Sequence, residues 1–308
     1  MKQISPINQI KLFGLNKYMN ELIQLYENKK LPNKILLSGQ KGLGKSTMIY
    51  HFINHVLSKD EEFCYDVGNF TINVENQSFK TILNKSNPNF ILIDIESEKK
   101  SIDISQIRDL ISNLNKSSFN KKPKFVLIDN IEFLNTSSIN ILLKVIEEPN
   151  DNVHFFLINN CKKILSTLIS RCINFKISLS NKEILDTTNK LLNGQISDFI
   201  NKELINYYST PGSIYNLISF GKTYDYDIIN LDLKNFLKII IKDNQYKKSK
   251  HLNYLFFDLI ESYFNKINSS LFSRVSDKYS FFLKRISNTK KFNLDDDSLF
   301  MEFEEKIL

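Results

Sequence analysis

Gly39-Gln40-Lys41-Gly42-Leu43-Gly44-Lys45-Ser46 stands between an apolar run, Ile35-Leu36-Leu37, and a helical pattern, Thr47-Met48-Ile49-Tyr50-His51-Phe52-Ile53. These residue types at this spacing hold phosphate. Glycine lets the backbone turn so that consecutive N–H groups face an anion, Lys45 reaches the β- and γ-phosphates, and Ser46 supplies a hydroxyl for Mg²⁺. The dipole of the helix that Thr47 continues adds to the attraction. The order of strand, glycine loop and helix is that of a P-loop, so ATP and Mg²⁺ are the expected ligands. Asp129 ends a second apolar run, Phe125-Val126-Leu127-Ile128, and offers the acidic group that such sites use for the metal.

The elements that must position these groups follow from periodicity. Ile35–Leu37, Phe90–Ile93, Phe125–Ile128, Val153–Ile158 and Ile173–Ile177 are short, nearly continuous apolar runs. Helical patterns alternate with them. That alternation predicts an α/β domain with a parallel sheet covered on both faces. Helices are expected over Asn8–Tyr26, from Asp103 as N-cap through Leu114, from Asn135 or Thr136 toward Pro149, and over Leu165–Ser170. Ser58–Pro88 carries few periodic signals and is expected to be loop, with a short strand near Phe70–Val74. Beyond Ser178 only helical patterns remain: Ser180–Leu192, Ser197–Tyr207 and Ser213–Phe220, a connector over Gly221–Asp227, then Ile228–Lys242, Lys250–Ile267, Leu271–Ile286 and Asp295–Ile307.

The chain has 308 residues, 42% of them hydrophobic, enough for two or three cores. No apolar stretch reaches the roughly 18 to 20 residues of a membrane span, and Met1–Pro6 lacks a signal-peptide core, so the expected compartment is the cytoplasm. Cys64, Cys161 and Cys172 are few and widely spaced, which argues against a disulfide framework. A net charge of +7, from 41 basic and 34 acidic residues, permits contact with nucleic acid without requiring it. Alanine and tryptophan are absent and Ile, Lys and Asn abundant, a bias of the AT-rich kind that carries no functional information.

Three further segments sharpen the reading: Asn140-Ile141-Leu142-Leu143-Lys144-Val145-Ile146-Glu147-Glu148-Pro149, Val153-His154-Phe155-Phe156-Leu157-Ile158-Asn159-Asn160, and Leu168-Ile169-Ser170-Arg171-Cys172. With the P-loop they resemble the AAA+ subunits of bacterial DNA clamp loaders, where N-x-L-L-K-x-x-E-E-P and S-R-C occur in this order. The likeness extends to Leu12-Phe13-Gly14, Leu31-Pro32, Ile102–Arg108 and, more weakly, Pro211-Gly212-Ser213. It implies a P-loop domain over 1–178, a small helical lid over 179–222 and an all-α collar over 223–308. It also implies a hetero-oligomeric ring with motor ATPase and clamp-opening subunits, acting on the sliding clamp and primed DNA. Within such a ring the S-R-C arginine, here Arg171, reaches the neighbouring subunit's ATP site as an arginine finger. Asn159 or Asn160 falls at the strand-end position called sensor 1. Asn159 is assigned to the nucleotide, with a turn-capping role as the other reading.

Departures from the pattern bear on activity. An AAA+ ATPase follows the metal-binding Asp with a Glu that orients water, whereas Asn130 follows Asp129, and an amide is no general base. Glu132 is either a displaced substitute or a loop acid. Tyr215 stands where hydrolysing relatives carry Arg. The resemblance therefore implies a mostly non-hydrolysing subunit, with a competent motor ATPase or an unrelated P-loop NTPase as alternatives. His51 and His55, at i and i+4 with Cys64 beyond, are expected to be packing residues rather than a zinc site. Lys121, Lys122 and Lys124 suit a charged strand entry better than a DNA contact, and Cys172 a small packed side chain.

Overall fold

The computed structural model describes residues 5–96, 99, 101–115, 120–147, 152–248, 253–268, 276–292 and 296–307. The described residues fall into two compact units, one within 3–191 and 210–212, the other within 192–209 and 213–308.

The first unit is built on five parallel strands: β1 (Lys34–Ser38), β2 (Phe90–Ile93), β3 (Lys124–Ile128), β4 (Val153–Asn159) and β5 (Ile173–Lys176), in the order β2-β3-β4-β1-β5. The central strands are buried on both faces, as their unbroken apolar sequences require. Alternation divides them between two cores. Ile35, Leu37, Phe125, Leu127, Phe156 and Ile158 face the helices α1 (Asn16–Glu27), α2 (Lys45–Leu57) and α3 (Gln77–Leu83). Leu36, Val126, Ile128, Phe155 and Leu157 face α4 (Ile104–Leu114) and α5 (Thr136–Glu147). Phe52 of α2 meets Phe125 and Phe156 edge-on at 6.1 and 5.6 Å, an arrangement aromatic quadrupoles favour. The short α6 (Ser166–Ile169) and α7 (Asn181–Leu192) flank β5 in sequence.

Three local expectations are corrected. The helix expected from Asn8 begins only at Asn16, after a 3-10 turn at Pro6–Asn8. Residues 10–12 are instead drawn into main-chain bonds with residues 70–72, Leu12 N–H to Phe70 at 3.0 Å and Ile72 N–H to Ile10 at 2.8 Å. Gly14 then turns the chain at φ +76°, where a Cβ would lie 2.3 Å from the Thr187 hydroxyl oxygen. The stretch near Phe70 forms isolated bridges at Thr71 rather than a strand. Within the expected loop, Asn76 caps α3 by accepting from Phe79 N–H at 2.8 Å.

The second unit is helical: α8 (Pro211–Thr223, its first two residues counted with the first unit), α9 (Leu233–Lys242), α10 (Gln245–Lys248), α11 (Asn253–Asn268), α12 (Ser276–Phe292) and α13 (Asp296–Ile307). Leu233, Phe236, Leu237, Ile240 and Ile241 form the buried stripe of α9, which Asp232 caps through Asn235 N–H at 2.7 Å. The helix expected from Ile228 therefore starts five residues late, while the connector expected from Gly221 is helical to Thr223. Ser197–Tyr207 forms two 3-10 turns, Ile196–Asp198 and Lys202–Leu204, because Asn201 re-caps the chain at Glu203 N–H and gives its own N–H to Ile228. An aromatic core joins Tyr246, Phe257 and Phe300, with Phe264, Phe282 and Phe303 beside one another. Residues 250–252, 271–275 and 295 of the expected helices lie outside the described residues.

Candidate functional site

The P-loop, Asp129 and the strand-end amides Asn159 and Asn160 lie at the carboxyl end of the sheet. In a parallel sheet all strands end on the same side, and β1 lies between β4 and β5 where the chain order reverses, the position at which such sheets bind ligands. Gly42 and Gly44 adopt φ of +88° and +91°, which glycine alone takes at no cost, and a Cβ on Gly39 would lie 2.4 Å from the Ile177 carbonyl. Leu43 is buried and anchors the loop, Gln40 and Thr47 are half-buried, and Lys41 is exposed.

Lys45 is only 3% exposed. Its ammonium donates to the carbonyls of Gly39 (2.8 Å) and Gln40 (2.7 Å) and to Asn160 Oδ1 (3.0 Å). Burial lowers its pKa to about 8, against the opposing pull of Asp129. The Ser46 hydroxyl donates to Asp129 Oδ2. Burial raises the Asp129 pKa, while the Ser46 bond and the Asn130 N–H favour its charged form. A hydroxyl and a carboxylate side by side are hard oxygen ligands of the kind Mg²⁺ takes.

Around this pair the structure adds a network of side chains. Asn130, in the left-handed region at φ 55°, donates to Asp94 Oδ1 at 2.8 Å and accepts from Asn160 Nδ2 at 2.9 Å. Asn160 also donates to Glu132 Oε1 at 3.1 Å. Asp94 is held through its own carbonyl, which accepts from Gln106 Nε2 at 2.9 Å, and Gln106 caps α4 by accepting from Asp103 N–H at 3.0 Å. Asn160 is thus the strand-end amide that reaches Lys45. Asn159 turns away, exchanging hydrogen bonds with the Lys162 main chain at 3.0 and 3.2 Å. Asp94 ends its strand as Asp129 does, and that shared position was the available signal for it. No sequence signal pointed to the contact of residues 210–212 with the loop, where Gly212 N–H donates to the Gly42 carbonyl and the Thr210 hydroxyl to the Lys41 carbonyl, both at 2.9 Å.

The remaining candidates lie elsewhere. Arg171, its side chain 35% exposed, pairs with Glu147 at the end of α5. Cys172 is half-buried in the α4–α5 core, and burial pushes its thiol up to about 11. Both His51 ring nitrogens are engaged, by the Tyr65 hydroxyl and the Gln9 carbonyl at 3.0 Å each, and His55 lies edge-on to Tyr65. Lys122 donates to the Leu57 carbonyl at 2.6 Å and Lys124 to Asn113 at 3.4 Å, while Lys121 is exposed. Tyr215 is buried in α8. Glu148 and Pro149 of the expected motif lie outside the described residues.

A P-loop leaving β1 of a parallel sheet ordered β2-β3-β4-β1-β5, with acids following β2 and β3, is the AAA+ arrangement. Within that class, the family model for DNA polymerase III, delta subunit, matches residues 14–181, more than half of the chain, and the chain belongs to this family. It is similar to the DNA polymerase III subunit delta′ of Buchnera aphidicola subspecies Schizaphis graminum, with 26% identity over 89% of this chain and 84% of that relative. The DNA polymerase III subunit gamma/tau of Mycoplasma genitalium is 31% identical over 65% of this chain, which spans 31% of that relative. A DNA polymerase III gamma subunit-related protein of Thermotoga maritima superposes with a TM-score of 0.46 at 17% identity, over 91% of this chain and 96% of that one. Among the described residues no helix is long and apolar enough to cross a membrane.

Proposed function

We propose that the chain is the delta′-like, mostly non-hydrolysing member of a DNA polymerase III clamp loader, a cytoplasmic stator in a ring with motor ATPase and clamp-opening subunits. It lends Arg171 to the neighbouring ATP site and reaches the sliding clamp and primed DNA through the complex. The division into a P-loop domain over 1–178, a lid over 179–222 and a collar over 223–308 belongs to the same proposal. Asn130 carries the reading. At the position of the water-orienting carboxylate stands an amide held between Asp94 and Asn160, able to donate and accept hydrogen bonds but not to take a proton at neutral pH. Lys45, Ser46 and Asp129 keep the phosphate- and metal-binding half of the site, with Gly39–Gly44 and Thr47 as its frame. When bound, Mg²⁺ would neutralise phosphate charge between Ser46 and Asp129. The Lys45 ammonium would exchange its bonds to the loop carbonyls for phosphate oxygens.

The isolated chain is expected to bind Mg²⁺-ATP and to turn it over at a background rate. Hydrolysis faster than roughly one per second, within the ordinary enzyme range, would contradict the stator reading. Calorimetric titration without binding up to millimolar Mg²⁺-ATP would reduce the loop to a structural remnant. One observation favours a competent ATPase instead: Glu132 shares Asn160 with Lys45, so a carboxylate does stand in the network. Under that reading Glu132→Gln abolishes a turnover the unaltered chain possesses.

A further inference from the structure

Glu147 is the last residue of α5, where its charge opposes the negative end of the helix dipole, whereas Lys144 one turn earlier has the favourable sign. Among the described residues, Arg171 is the cation that pairs with it. Arg171 Nε donates to Glu147 Oε1 at 2.8 Å, and Nη2 lies 2.6 Å from the same oxygen. Nη1 donates to the Thr167 carbonyl at 2.8 Å. The guanidinium is therefore gripped along one side by α5 and at a terminal nitrogen by α6. Each terminal nitrogen carries two N–H groups, so at least one on each is left for another acceptor. The same segment leaves Leu165, Ile169 and Ile173 exposed, at 44, 42 and 55%.

We propose that Glu147 is the positioning residue of Arg171, fixing the direction of the guanidinium before a neighbouring subunit's phosphate arrives. The inference rests on the reading that Arg171 acts in trans. An exposed ion pair adds little to fold stability because solvent screens it and side-chain entropy opposes it. Its effect here is orientational. A planar fork already aligned loses less freedom when it meets the charge developing in the transition state.

The test uses the full ring assembled with the partner subunits of the same cell, comparing Glu147→Ala, Glu147→Gln, Arg171→Ala and the Glu147→Ala/Arg171→Ala double variant. Each is checked for intact assembly and an unchanged melting temperature. Arg171→Ala is expected to lower total ATPase about threefold, because one interface of several receives it. Glu147→Ala is expected to lower kcat about twofold at unchanged KM for ATP, with Glu147→Gln between it and the unaltered ring, and the double variant no slower than Arg171→Ala. Glu147→Ala with unaltered or faster turnover, beside a defective Arg171→Ala, overturns the positioning role alone. So does a double variant about sixfold down, since independent effects multiply. Full turnover in Arg171→Ala overturns the trans role itself and the positioning role with it.

Discussion

Asn130 is fixed by what it donates to as much as by what it cannot do. A carboxylate in its place would face Asp94 across the 2.8 Å now bridged by an N–H, a like-charge contact that raises pKa values and weakens the fold. Asn130→Asp is therefore expected to cost about 1–3 kcal/mol at pH 7. Thermal melts of the variant beside the unaltered chain at pH 7 measure the cost. A variant as stable at pH 7 as the parent would show that Asp94 exerts no such constraint. At the same scale, Arg171→Ala in the assembled ring should impair turnover more than Lys45→Ala, because the proposed site of hydrolysis belongs to the neighbour. A severe defect in Lys45→Ala beside normal clamp loading in Arg171→Ala would make this chain a motor subunit.

Elements hold these residues through contacts distant in sequence. Gly212 approaches the P-loop so closely that a Cβ would lie 2.8 Å from Gly42 Cα and 2.9 Å from its carbonyl oxygen, main chain against main chain. Neither side is a flexible side-chain tip, so Gly212→Ala must displace the loop or the start of α8. Melting should fall by the equivalent of about 1–3 kcal/mol and Mg²⁺-ATP titrate more weakly, while unchanged affinity would mean the loop needs no support there. On α2, burial lowers His51 to about 4 from 6.5 and lowers His55, as it does His154 on β4. Histidines kept neutral in the fold bind protons first in the unfolded chain. Stability is then retained above about 6.5 and lost as pH falls toward 4, at up to about 1.4 kcal/mol per pH unit for each proton. A pH series of denaturant melts on the parent and on His51→Gln measures it, and the variant should lose part of the acid slope.

For the whole molecule, the reading as one member of a ring predicts that a tagged chain recovered from its own cells brings DNA polymerase III gamma-type subunits with it. Arg171→Ala should still assemble, because removing a half-exposed charge leaves both cores intact. A chain recovered alone under gentle extraction would weigh against the ring. The parallel sheet, the P-loop and the paired acid Asp129 were legible in the sequence because they are local. Apolar runs of strand length, glycines at fixed offsets and an acid at a strand end need no distant partner to be recognised. The helices of the second unit were legible in kind but not at their ends, since Asn201 and Asp232 decide where helices start through hydrogen bonds that periodicity does not encode. Gly14 and the pairing of residues 10–12 with 70–72 shortened the first helix by a contact sixty residues away in sequence. Which of Asn159 and Asn160 bonds to Lys45, the clasp of Asn130 between Asp94 and Asn160, and the grip of Glu147 on Arg171 belong to the tertiary structure alone. Each joins residues from different strands or helices, and only the packing of the sheet and its flanking helices brings their polar atoms within bonding distance.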